Sequence, residues 1–224
     1  GRFTDLGDDI SNSTGVFDVK DNYKFNNASD NNTPVEIDQD NFVILGNGHT
    51  IDASGQSSIF LISAKNVTIN NLTFINANYS RGSVFSIMQD CSLTTNDVVL
   101  MNNTAENCVI AVYGTYFSNN DKFTDSTSKF TVIRLFDDSV LNVDNAVMMN
   151  SKILQWGFIY TEAENCNITI LNSLFANSTS NYTAAVRGST RTMIQNCQFV
   201  NLHAITSAGA IGVKDLVSAE INKR

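Results

Sequence analysis

Basic residues are scarce in this chain: 14 lysines and arginines face 22 aspartates and glutamates, for a net charge of −8 over 224 residues. The few cations are scattered, so no concentrated positive field exists to hold a phosphate backbone, and nucleic acid is excluded as a partner. Proline occurs once, at Pro34, and no Pro-, Ser- or Gly-rich linker or charge block separates one half from the other. Residues 1–224 therefore read as one domain, expected to act as a monomer. No apolar run approaches the roughly 20 residues of a bilayer-crossing helix, and Gly1 is not followed by a charged-then-apolar leader. The chain has no membrane span of its own, although a leader removed earlier would leave no trace in it. Histidine occurs only at His49 and His203, neither with a partner at ligand spacing, and no Ser-His-Asp set, phosphate-binding loop or zinc spacing is present. No catalytic residue, metal or cofactor is expected.

What the chain has in excess is asparagine, 30 residues. Asn is a poor helix former that tolerates left-handed backbone, so its abundance points to many turns. Between the turns lie short Val/Ile/Leu/Phe runs, and one frame recurs. The segment Asn66-Val67-Thr68-Ile69-Asn70-Asn71-Leu72-Thr73-Phe74-Ile75-Asn76 aligns with segments that begin at Ser92, Val140, Asn167 and Arg191. Their shared pattern is apolar-x-apolar-x-Asn-apolar-x-apolar-x-Asn. Two short alternating strands around a tight corner cannot bury their inward side chains alone, but copies stacked about 4.8 Å apart can. The frame therefore predicts an all-β fold, a right-handed parallel β-helix. Phe74, Leu100, Met148, Phe175 and Phe199 form one expected inward column, and Ile69, Thr95, Val143, Ile170 and Ile194 another.

The corner residues Asn71, Asp97, Asn145, Asn172 and Asn196 and the closing residues Asn76, Asn102, Asn150, Asn177 and Asn201 read as two Asn ladders, structural in role. A third strand follows each closing residue, at Val84–Ile87, Phe158–Thr161, Ala185–Gly188 and Gly209–Val213, with an earlier equivalent at Ile59–Ile62. The closing residues are 26, 48, 27 and 24 positions apart, so one step is twice too long. Residues 103–140 hold either an insertion or a degenerate coil, with strands at Val109–Tyr113 and Phe130–Phe136 and polar Ser118–Lys129 as an exposed loop or hairpin between them. Ahead of the coils, assigned to 41–224, residues 1–40 read as an N-terminal cap. Phe3, Leu6 and Ile10 sit there at helical spacing and would cover the open end of the solenoid. Strand-like sequence at Leu216–Ile221 suggests that coils continue past the far end.

The stretch from Phe42-Val43-Ile44-Leu45-Gly46-Asn47-Gly48-His49-Thr50-Ile51-Asp52 to Gly55, then Ile59-Phe60 and Asn66-Val67-Thr68-Ile69, resembles the opening coils of the large adhesin-like surface proteins of methanogenic archaea. Phe3-Thr4-Asp5-Leu6 and Asp21-Asn22-Tyr23-Lys24-Phe25-Asn26 are similar to the cap that precedes those coils. The resemblance covers most of residues 1–201 and departs from the family at 103–140. It implies a parallel β-helix, a place in the cell envelope as a fragment of a larger anchored protein, and attachment to other cells or to glycan surfaces.

Enzymes acting on polysaccharides share this fold, so carboxylate pairs need weighing. Asp8-Asp9 falls in the cap; Asp137-Asp138 and the pair Glu162 and Glu164 fall at coil edges. Neighbours along a strand face opposite ways, which argues against convergence of Asp137 and Asp138. Calcium at Asp38 and Asp40, or at Asp137 and Asp138, lacks the glycine-rich nonapeptide of calcium-binding β-rolls. Cys91 and Cys166 share a column about two coils, roughly 10 Å, apart, beyond disulfide reach, and Cys197 lies in an inward column beside Leu72 and Val98; all four cysteines should be free. Ten Asn-x-Ser/Thr sequons occur, and those on the ladders, such as Asn71 and Asn177, should be too enclosed to carry sugar. On the outside, alternation along the third strand gives the column Leu61, Ser86, Arg134, Tyr160, Arg187. Guanidinium groups flanking an aromatic face suit a sugar ligand. The leading reading is a non-catalytic extracellular adhesin module that binds another cell or its glycans through Arg134, Tyr160 and Arg187. A polysaccharide lyase or hydrolase, or a passive stalk, stands as the alternative.

Overall fold

The computed structural model describes residues 1–30, 34–189, 191–206, 209–213 and 218–223. The strands pair in parallel, each with its equivalents one coil before and one coil after, in a β-solenoid of about eight turns. Three strands make a turn. In the reference repeat they are Val67–Asn70, Thr73–Ile75 and Asn78–Ile87, and in the next coil Ser92–Asn96, Val99–Met101 and Thr104–Val112. Apart from Ser54, every non-glycine residue with positive φ among the described residues is Asn or Asp, with φ between 51° and 63°. Only residues whose short polar side chain offsets the left-handed penalty close such tight corners, which accounts for the asparagine excess.

Residues 103–140 are not an insertion. They complete one coil and supply the next, with strands Thr115–Asn119, Lys122–Thr124, Thr127–Ser128 and Ile133–Leu135. Thr115–Asn119 pairs with Ser92–Asn96 on one side and Val140–Asp144 on the other, so the expected exposed loop at 118–129 is sheet. Its pattern is hidden because two inward positions are polar. Ser118 stacks between Thr95 and Val143, and Asp121 holds the place that Leu72 and Val98 hold in earlier coils; both are buried. Phe123 then stands between Leu100 and Met148, and the column continues in register through Phe74, Phe175 and Phe199. Each large side chain buried there contributes about 1.5–3 kcal/mol against the entropy of ordering the chain.

The cap is shorter than residues 1–40. Only Phe3–Ser11 is helix, burying Phe3, Leu6 and Ile10. Strands Val16–Asp18, Tyr23–Lys24 and Val35–Ile37 already form a coil in register with Val43–Leu45, Thr50–Asp52 and Phe60–Ile62. The helix is pinned by Asp30, whose carboxylate accepts from the backbone N–H groups of Phe3 and Thr4 at 3.1 and 2.9 Å. Burial raises the Asp30 pKa, but these donors and the Asn26 N–H outweigh it and hold it at about 2. Cys91, Cys108, Cys166 and Cys197 are all free. Because of the extra coil, Cys91 and Cys166 lie three coils apart rather than two. Of the sequence expected at Leu216–Ile221, residues 216 and 217 lie outside the described residues; a strand runs Ser218–Lys223 and pairs with Arg191–Ala204.

Candidate functional site

The corner and closing residues carry vertical rows of side-chain hydrogen bonds. Asn102 donates to Asn76 (2.7 Å), Asn177 to Asn150 (3.2 Å) and Asn201 to Asn177 (3.1 Å). At the other corner Asn196 donates to Asn172 (2.6 Å), Asn172 to Asp144 (3.0 Å), and Asn145 to Asn120 (2.8 Å). In the earlier coils that row shifts by one residue: Asn119 donates to Asn96 and Asn96 to Asn70, with Asn71 and Asp97 supplying the left-handed turn instead. Asn71 and Asn177 are exposed, contrary to the enclosure expected of them, because the rows run along the outer edges of the prism.

The outward column of the third strand is the part of the surface with chemistry to offer. Arg134 pairs in register with Ala111 below and Tyr160 above, and Tyr160 with Arg187. The structure thus brings the three sequence-derived residues together, but it clothes them with rings. Phe130 meets Tyr160 edge-on and Trp156 covers it at a tilt, both with centroids 4.8 Å away, and Trp156 continues to Tyr182 at 4.8 Å. Tyr160 is accordingly only 6% exposed, and burial, followed by the nearby Glu162, raises its pKa. The aromatics that reach the surface here are therefore half-buried Trp156 and exposed Tyr182, while Tyr160 is covered. Their signal in the sequence is spacing: Phe130, Trp156 and Tyr182 are 26 residues apart, one coil each.

Arg134 is held from every side. Its guanidinium lies 4.8 Å from the Phe130 ring, 4.9 Å from Phe136 and 5.7 Å from Tyr160, and it donates to Asn107 and to Glu162 at 3.1 Å each. Its side chain is 14% exposed, so these contacts fix its orientation. Arg187 sits over Trp156 at 5.8 Å and donates to the Gly188 carbonyl, and among the described residues most of its five donors find no other partner. Farther along, Tyr113 and Phe136 stack at 4.2 Å, and Arg81 lies over Phe136 while donating to the Tyr113 hydroxyl. The strip ends in a recess bordered by Gln89, Tyr113, Asp137, Asp138 and Glu162. Glu162 is occupied by Arg134 and Tyr160, and Asp138 accepts from Asn165 at a left-handed corner. Among the described residues no group of three His, Cys, Asp or Glu could hold a metal ion, and no helix is long and apolar enough to cross a membrane.

No family model and no curated protein matches this chain. Among solved structures, the surface protein and adhesin PfbA of Streptococcus pneumoniae is similar at 11% identity, over 93% of this chain and 88% of that one, with a TM-score of 0.27. So faint a likeness carries no weight for function.

Proposed function

We propose that the chain is a non-catalytic module of an extracellular, cell-surface adhesin, acting as a monomer and binding glycans of another surface through the strip from Arg134 to Arg187. One observation carries this: half-buried Trp156 and exposed Tyr182 present rings beside Arg187, most of whose donors have no partner among the described residues. Sugars present C–H faces to aromatic rings and hydroxyl or carboxylate oxygens to guanidinium groups. Because Arg134 and Tyr160 are already locked by their neighbours, little side-chain entropy is lost on binding. The test combines a glycan array, whole-cell binding and a reducing-sugar release assay on the same preparation. Binding without sugar release, lost in Arg187→Ala and Trp156→Ala variants of unchanged melting temperature, is expected; no binding to any glycan or cell would overturn the proposal in favour of a stalk.

The recess bordered by Asp137, Asp138 and Glu162 favours a second reading, cleavage of the bound glycan. Among the described residues only Asp137 of these three makes no hydrogen bond, which leaves one unengaged carboxylate where hydrolysis needs two. Sugar release abolished by Asp137→Asn would establish that reading instead.

A further inference from the structure

Beside the strip runs a groove of about 520 Å³ that touches six coils, from Asn78 through Ala105, Ser128, Ile153 and Ser180 to Ile205. Five coil steps at about 4.8 Å make it about 24 Å long. Its construction is repetitive: Thr104, Thr127, Lys152 and Thr179 stand in register one above another. Among the described residues, neither the three Thr hydroxyls nor the Lys152 ammonium has a partner within the protein. Buried Ala105 and Ile153 sit behind them, while Leu154 and Ile205 are 63% and 64% exposed, the two most exposed large apolar residues described. The same short segments build groove and strip: Lys129 precedes Phe130, Leu154 lies two residues before Trp156, and Ser180 two before Tyr182.

The charge of the groove runs against that of the whole chain. The chain carries −8 overall, yet the groove holds Lys129 and Lys152 against Glu106 alone, and Glu106 is spent on Lys129. Among the described residues Arg187 on the adjoining strip has no acidic partner either. An unpaired cation in the groove, and beside it a cation with donors left over among the described residues, on an acidic protein, fit an anionic ligand at this place.

We infer that the ligand is a linear, carboxylate-bearing polysaccharide lying in the groove parallel to the solenoid axis, its sugar rings over Leu154 and Ile205 and its edge toward Trp156 and Tyr182 on the adjoining strip. The inference rests on the glycan-binding reading above and adds the ligand's shape, charge and direction. A polymer repeats along its length as the coils do, so successive residues meet equivalent Thr or Lys side chains, whereas a single sugar would use one coil. The Thr hydroxyls bond the sugar hydroxyls, Lys152 and Arg187 take the carboxylates, and Leu154 and Ile205 cover the apolar ring faces.

The test uses galacturonate dimers, tetramers and hexamers, with carboxyl-reduced hexamers for comparison, titrated by calorimetry against the whole chain. Affinity should rise by about tenfold or more from dimer to hexamer, and fall by about as much on carboxyl reduction. It should also drop several-fold in Lys152→Thr and Leu154→Ser, both exposed positions whose substitution leaves the core untouched. Equal affinity for all lengths, equal affinity for the reduced hexamer, or full binding by both groove variants would overturn the inference. If Trp156→Ala still abolishes binding of array glycans in that case, the strip reading stands alone; if no glycan binds at all, both fall.

Discussion

The hydroxyl of Thr95 lies 2.5 Å from Oδ2 of Asp121, and both residues are sealed inside the solenoid. Ser118 donates to the same carboxylate oxygen at 2.6 Å, the Val98 N–H donates to the other at 2.8 Å, and the Tyr116 hydroxyl adjoins Thr95 at 2.8 Å. A hydrogen-bonded polar centre thus bridges two successive coils inside the solenoid. Satisfied this fully, it is tolerated where an isolated carboxyl would not be.

Burial pushes the Asp121 pKa to about 7, despite the opposing hydrogen bonds from Ser118, Thr95 and Val98. Its folded value exceeds its ordinary one, so native Asp121 keeps a proton that the unfolded chain has lost between about pH 4 and pH 7. The stabilisation is complete below pH 4 and disappears as pH rises to 7, on the order of 4 kcal/mol in all. Asp30, held at about 2, acts in the opposite sense and only below about pH 4. Thermal unfolding of the chain and of Asp121→Asn across pH 4.5–8 should show the stability difference between them falling steadily toward neutral pH; parallel curves would show that Asp121 does not titrate there.

Phe123 is fully buried between Leu100 and Met148, so Phe123→Ala should cost about 3–5 kcal/mol. Phe117, on the same coil but outward and exposed, should cost less than about 1 kcal/mol when truncated to Ala. Urea unfolding of the two variants checks the ranking, which would invert if 118–129 were a loop outside the core.

Asn172 combines a φ of 55° with two hydrogen bonds, accepting from Asn196 and donating to Asp144. Asn172→Gly loses the bonds but keeps the left-handed freedom, whereas Asn172→Ala loses both. Melting temperatures should therefore fall in the order wild type, Gly, Ala, with about 1–2 kcal/mol between the last two.

Thiol titration distinguishes the cysteines. Burial raises the pKa of Cys108 to about 11 and also raises those of Cys197 and Cys91, but Cys91 is the one partly exposed thiol of the four and so the one a reagent can reach. A disulfide-exchange reagent should react with Cys91 first in the native protein and with all four cysteines in denaturant. Fewer than four reactive thiols in denaturant would reveal a disulfide.

The columns were legible because strand period and coil length repeat together, so Phe74 and Leu100 announce each other. The coil through Phe123 was not, because Ser118 and Asp121 are inward residues of outward chemistry, and pattern reading assigns polar residues to solvent. The cap boundary failed for a related reason: two- and three-residue strands such as Tyr23–Lys24 are too short to show alternation. That Arg134, Tyr160 and Arg187 stack one above another was legible because vertical neighbours follow from register alone. That Tyr160 would be covered by Phe130 and Trp156 depends on where side chains from the preceding bend fold, which spacing does not encode.

Trp156 is the only tryptophan in the chain and stands at the centre of the strip, so its fluorescence reports on the proposed site with no label. Titration with a glycan selected on the array should change Trp156 emission and saturate at the concentrations at which calorimetry shows binding. Saturable binding with Trp156 emission unaltered would place the ligand elsewhere and contradict the account.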